Sequence, residues 1–101
     1  MSFAKVVIEP LARQDIREAR DWYASKGEHL SNEFRNELVR NLDFISRVPL
    51  GTSIAFGHTR LKPMRQFPHL IGYVFHEGIV FIIGVRHGSQ DWDAFRERDF
   101  G

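Results

Sequence analysis

Four basic side chains in the second half of the chain, Arg60, Lys62, Arg65 and Arg86, are accompanied by His69 and His87. Guanidinium and ammonium groups donate to oxyanions, so this set could grip a phosphate or the acidic surface of another protein. Arg60 and Lys62 are two apart, which on a strand turns both to one face. A solvated outer face is the plainer use of the same residues, and four cations are few for a nucleic-acid footprint. His87 follows Arg86 at the exit of an apolar stretch. There it can serve as a general acid or base, or cap the strand through a hydrogen bond.

Other chemistries find less support. The chain has no cysteine, which rules out disulfides, a thiol nucleophile and any zinc site built on Cys. None of its five histidines are spaced as a helical ligand pair, so no metal is expected. Ser89 lies near His87 and Asp91, but a catalytic triad needs residues that converge from separate elements. Gly72, Gly78, Gly84 and Gly88 are too dispersed for a phosphate loop, and no cofactor is implied. Gly72 and Gly84 fall inside apparent strands and predict a bulge or a close backbone approach. Trp22 either covers the edge of the sheet or anchors a partner. Trp92 and Phe95 either fold back on the core or dock on another chain.

The elements that must position these residues are legible from periodicity. Phe3 to Ile8 is short, apolar and β-branched, and it ends at Glu9-Pro10, so it predicts a strand. Ala12, Ile16, Ala19 and Tyr23 recur at helical spacing over 11–26. Gly27 then predicts a left-handed helix stop. A second stripe, Leu30, Phe34, Leu38, Leu42 and Ile45, predicts a helix that closes before Pro49. Two such helices around one glycine make an antiparallel hairpin.

Leu50 to Gly57 has no clear period and reads as a loop. Thr59 to Lys62 predicts a short strand, with Met64 to Phe67 a continuation beyond Pro63. His69 to His76 and Ile79 to Arg86 predict a hairpin turning at Glu77-Gly78. The last of these is apolar on both parities, with Val80 and Ile82 on one side and Phe81, Ile83 and Val85 on the other. That pattern belongs to a central strand. The expected fold is α+β: an N-terminal strand, a helical hairpin and a three-stranded antiparallel C-terminal sheet segment, in a single domain over 1–101.

Composition is consistent with this reading. An apolar fraction of 43% excludes a disordered chain. The longest apolar run is the five residues Ile79 to Ile83, against about 20 for a membrane helix. With no signal-peptide pattern at Met1 to Lys5, a soluble, cytoplasmic protein is expected. The net charge of +1 conceals an uneven distribution. Residues 1–57 are balanced, 58–87 carry four basic side chains against one acidic, and 88–101 carry two against four. A basic sheet therefore adjoins an acidic tail, which favours a protein partner over general nucleic-acid binding.

Three segments carry a family resemblance: ARQDIREARDWY at 12–23, RQFPHLIGY at 65–73 and IIGVRH at 82–87. In this order they resemble the ParE toxins of the RelE/ParE superfamily, the toxins of bacterial type II toxin–antitoxin modules. The resemblance implies a gyrase-poisoning toxin, silenced by a ParD-like antitoxin with a ribbon-helix-helix start and an amphipathic tail. It also implies a toxin–antitoxin hetero-oligomer, with neither membrane association nor sequence-specific DNA binding. RelE-like members instead cleave messenger RNA on the ribosome, with a sheet arginine that this chain replaces by Leu70. They also use a C-terminal tyrosine, and no tyrosine follows His87. Many ParE-like members carry an arginine where this chain has Gln90.

Three readings follow. The first is a non-enzymatic gyrase inhibitor. The second is a ribonuclease using Arg60, Lys62, Arg65 and Arg86 around His87, and the third is an inactive toxin-fold partner of an antitoxin. Partner contacts are expected at Arg60, Lys62, Arg65, Arg86, His87, Trp22 and Trp92. Charge reversal at Arg60 or Arg86 is expected to weaken an antitoxin complex without loss of fold.

Overall fold

The N-terminal strand β1 (Lys5–Ile8) ends at Glu9, and Pro10 opens the helix α1 (Pro10–Lys26), where its missing N–H costs nothing. A single residue, Gly27, separates α1 from α2 (Glu28–Arg47). Then follow β2 (Ile54–Phe56), β3 (Thr59–Pro63), β4 (His69–His76), β5 (Ile79–His87) and a short helix α3 (Asp93–Arg98). This computed structural model describes residues 3–88 and 93–99, with Asp93 and Ala94 by backbone alone. Trp92, with Ser89, Gln90 and Asp91, lies outside the described residues.

One five-stranded sheet, in the order β1-β5-β4-β3-β2, carries the fold. β1 runs parallel to β5 and every other neighbouring pair is antiparallel. The α+β class is as expected, but the sheet is larger than an isolated strand plus three. The supposed loop at 50–57 contains β2, which pairs with β3 through Ile54 and Phe56. The segment 64–67 does not prolong β3. It bends away, and the Glu37 carboxylate accepts the backbone N–H groups of Arg65 and Gln66, each at 2.7 Å. Gly27 has φ 161°, an extended conformation, so the left-handed stop is not used there.

The β4–β5 hairpin turns where expected. Glu77 (φ 50°) and Gly78 (φ 78°) are both left-handed, the geometry that matches the twist of the flanking strands. Farther along, Gly72 pairs with Gly84 but Tyr73 pairs with Ile82, so β5 carries one extra residue, Ile83. This bulge shifts the side-chain alternation. Val80, Ile82 and Val85 therefore share the helical face, correcting the simple parity that placed Val85 opposite them.

Both faces of the sheet are covered. Ala12 and Tyr23 of α1 and Phe34, Leu38 and Ile45 of α2 bury one face against Ile71, Tyr73, Val80, Ile82 and Val85. On the other face Phe95 of α3 is buried with Val74 and Ile83. A Cβ built on Gly72 would lie 2.5 Å from the Phe95 ring, and one on Gly84 2.6 Å from it. The paired glycines thus form a slot for that ring, which is the close approach their sequence positions predicted. Phe95 folds back onto its own chain.

Candidate functional site

At the exit of β5 the polar groups are tightly engaged. β1 ends opposite Ile82, so among the described residues the β5 edge beyond it lacks a strand neighbour, and the Asp15 carboxylate of α1 takes that place. The Val85 N–H donates to Asp15 Oδ2 at 3.0 Å and Arg98 Nη1 to the same oxygen at 2.5 Å. Arg86 Nη1 lies 3.6 Å from Asp15 Oδ1, and Arg98 Nη1 also donates to the Ile83 carbonyl at 3.2 Å. The carboxylate is almost fully buried. One acid from the first helix therefore joins α1, β5 and α3.

Beside this clasp, His69 and His87 are register partners, with ring centroids 5.5 Å apart. His69 is buried against Phe34 and Tyr23. Burial, with a smaller contribution from the His87 charge, pushes its pKa down to about 4. Its ring is consequently neutral near pH 7, and its buried Nδ1 has no hydrogen-bond partner among the described residues. Burial also raises the Tyr23 pKa, which keeps that phenol protonated. These groups border a cleft of about 510 Å³ between α1 and the strand ends. Trp22 stands at its rim, 58% exposed.

The remaining basic residues lie across the sheet. Arg60 and Lys62 are on β3, separated from β5 by β4, at about 10 Å between strand axes. Their register partners Tyr73 and Ile71 belong to the helical face, so both cations flank the α2 layer instead of forming an outer basic face. The Arg60 guanidinium donates to the Thr52 carbonyl. Lys62 Nζ sits 5.3 Å from the Phe44 ring centre. Arg65 extends its side chain into solvent, and with Lys62, Arg40 and Phe44 it lines a hollow of about 690 Å³.

The sequence candidates thus separate into two sites. Arg86, His87 and Trp22 gather at the cleft beside α1. Lys62 and Arg65 gather at α2, with Arg60 turned toward the loop before β2. Periodicity did not single out Asp15, Glu37 or Arg40. The signal for the two acids was nevertheless present. Asp15 lies three after Ala12 and Glu37 three after Phe34, so each sits on an apolar helical stripe where a carboxylate must find donors. No helix among the described residues is long and apolar enough to cross a membrane.

The described residues thus form a helical hairpin packed on a mixed five-stranded sheet, with clefts at both sides of the hairpin. A family model described as the ParE toxin of type II toxin–antitoxin systems, parDE, matches residues 6–92, and the chain belongs to this family. A solved structure, titled the chromosomal ParDE TA system from P. aeruginosa, superposes with a TM-score of 0.75 at 12% identity. The match covers 84% of this chain and 96% of that one. No curated protein sequence matches it significantly.

Proposed function

We propose that this ParE-family toxin acts without catalysis, by binding and inhibiting DNA gyrase, and that a ParD-like antitoxin holds it silent. The observation that carries the reading is the dispersal of its cations. Metal-free cleavage of RNA needs several of them around one phosphate, beside an acid–base group. Here Arg60 is engaged by Thr52 and Arg86 by Asp15, on opposite sides of β4. Leu70 occupies the place of the RelE-like sheet arginine. The same dispersal leaves two surfaces for protein contact: the β5 exit with Arg86, His87 and Trp22, and the α2 side with Lys62 and Arg65.

The purified toxin, added in excess to gyrase and relaxed plasmid, is expected to block supercoiling and trap cleaved DNA. Normal supercoiling under those conditions refutes gyrase as the target. A message cut in the A site of programmed ribosomes would instead place the protein with the ribonucleases.

A further inference from the structure

Residues 10–47, the helical hairpin, carry seven basic and seven acidic side chains. That balance does not survive folding. Asp15 and Glu37 are buried and bound to backbone N–H groups, which leaves the exterior of the hairpin with two positive charges in excess. Arg13, Arg17 and Arg20 recur at spacings of four and three, so they share one flank of α1 over about 10 Å. This flank faces α2. Arg20 Nε donates to Ser31 Oγ at 3.2 Å, and Arg13 borders a hollow with Val39 and Leu42. Between those two contacts the antiparallel helices bring Arg35 level with Arg17. None of the four arginines has an ion-pair partner among the described residues. Arg13 and Arg20 are anchored through Nε alone, to the Ile8 carbonyl and to Ser31. Asp21, one turn from Arg17, makes no pair with it, and Asp43 at the Arg13 end is held by Arg47 at 2.6 Å.

We infer that this arginine ridge grips the phosphate backbone of duplex DNA, the segment that gyrase holds, an assignment that rests on the gyrase reading above. Guanidinium forks pair with phosphate oxygens, and anchoring at Nε leaves the Nη groups for them. Such contacts carry no base information, so the grip has no sequence preference. An acidic protein is the poorer occupant. Its interface would centre on an apolar or aromatic anchor, and the ridge offers Val39 at one end. A single strand also fits less well, because Trp22, the exposed ring of α1, lies on the opposite flank at the β5 cleft and gives the bases nothing to stack on.

The test titrates purified toxin into a labelled duplex of about 20 base pairs, read by fluorescence anisotropy between about 50 and 200 mM salt. Wild-type affinity is expected to fall with about the third power of salt, as three or four neutralised phosphates require. Arg17→Gln/Arg35→Gln is expected to bind at least tenfold more weakly, with a shallower salt dependence. Arg40→Gln/Arg65→Gln, which removes the same charge from the other flank of α2, is expected to stay within twofold. Thermal melting reports the fold of each. If the first variant does not fold, Arg35→Gln alone takes its place, with at least a threefold loss expected. No duplex binding by wild type at the lowest salt, or equal losses in the two double variants, overturns the assignment. So does tighter binding to a single strand of the same length. With gyrase and relaxed plasmid, the folded ridge variant is expected to trap at least tenfold less cleaved DNA than wild type. Undiminished trapping overturns the grip on gyrase-held DNA and leaves the gyrase reading standing. A wild-type toxin that binds the duplex yet leaves supercoiling normal defeats that reading, and the gyrase-held segment as the ligand with it.

Discussion

The β5 exit and the α2 hollow are built from the same residue types, yet they treat charge in opposite ways. At the β5 exit Arg86 and Arg98 converge on the buried Asp15, and His69 is held neutral by burial. Charge there closes the chain on itself. Along α2, Arg40 and Arg65 stay exposed while the carboxylate, Glu37, is turned inward to fasten the 64–67 segment. Charge there is presented outward. Cations of similar count in the sequence thus divide into structural and available ones, according to where the nearest buried acid lies. Reversing Arg86, expected from sequence to spare the fold, would set a second carboxylate beside Asp15 and destabilise the protein.

Each side of this contrast can be broken separately. Asp15→Ala should have the largest effect. It leaves Arg98, Arg86 and the Val85 N–H without their acceptor, a loss of about 3–5 kcal/mol as for other broken buried pairs, visible in urea unfolding. Next is the acid sensitivity of His69. The unfolded chain takes up a proton near pH 6.5 and the folded chain only near pH 4, so the unfolded state binds more protons between those values. Stability should be full above pH 6.5 and fall toward pH 4, by about 3 kcal/mol at 1.36 kcal/mol per unit. The His69→Phe variant, melted across the same range, should lack that component.

Glu37→Ala strips acceptors from two backbone N–H groups and should cost about 2 kcal/mol, measured by thermal melting. It should also disorder the wall of the hollow, which amide exchange at Arg65 and Gln66 would detect. Arg65→Ala, by contrast, should change stability by less than about 0.5 kcal/mol, because an exposed charge without a partner contributes little. An Arg65 substitution as damaging as Asp15→Ala would erase the distinction between the two regions.

Helical stripes, the proline breaks and the Glu77-Gly78 turn made α1, α2, β4 and β5 readable, because each signal is local. β2 was not readable. Ile54 and Phe56 are a strand only because β3 lies beside them, and Ile54 is 52% exposed. The face of Val85 was equally hidden, since parity assumes an unbroken pleat and the extra residue Ile83 breaks it. For the site, Arg86 and His87 were found by their place after an apolar strand. The company they keep depends on residues far off in sequence, Asp15 above all, 70 positions from the N–H it accepts. Which cations meet was therefore a property of the sheet order, not of spacing along the chain.

β1 has a single neighbour in the sheet, and that neighbour is the last strand. During synthesis the helical hairpin can assemble from contacts close in sequence as soon as it leaves the ribosome. Residues 5–8, however, have nothing to pair with until residues 79–82 have emerged. The sheet, and with it both clefts, is completed only once β5 has emerged. A sheet whose first strand pairs only with β5 stays open at that edge until β5 has been made.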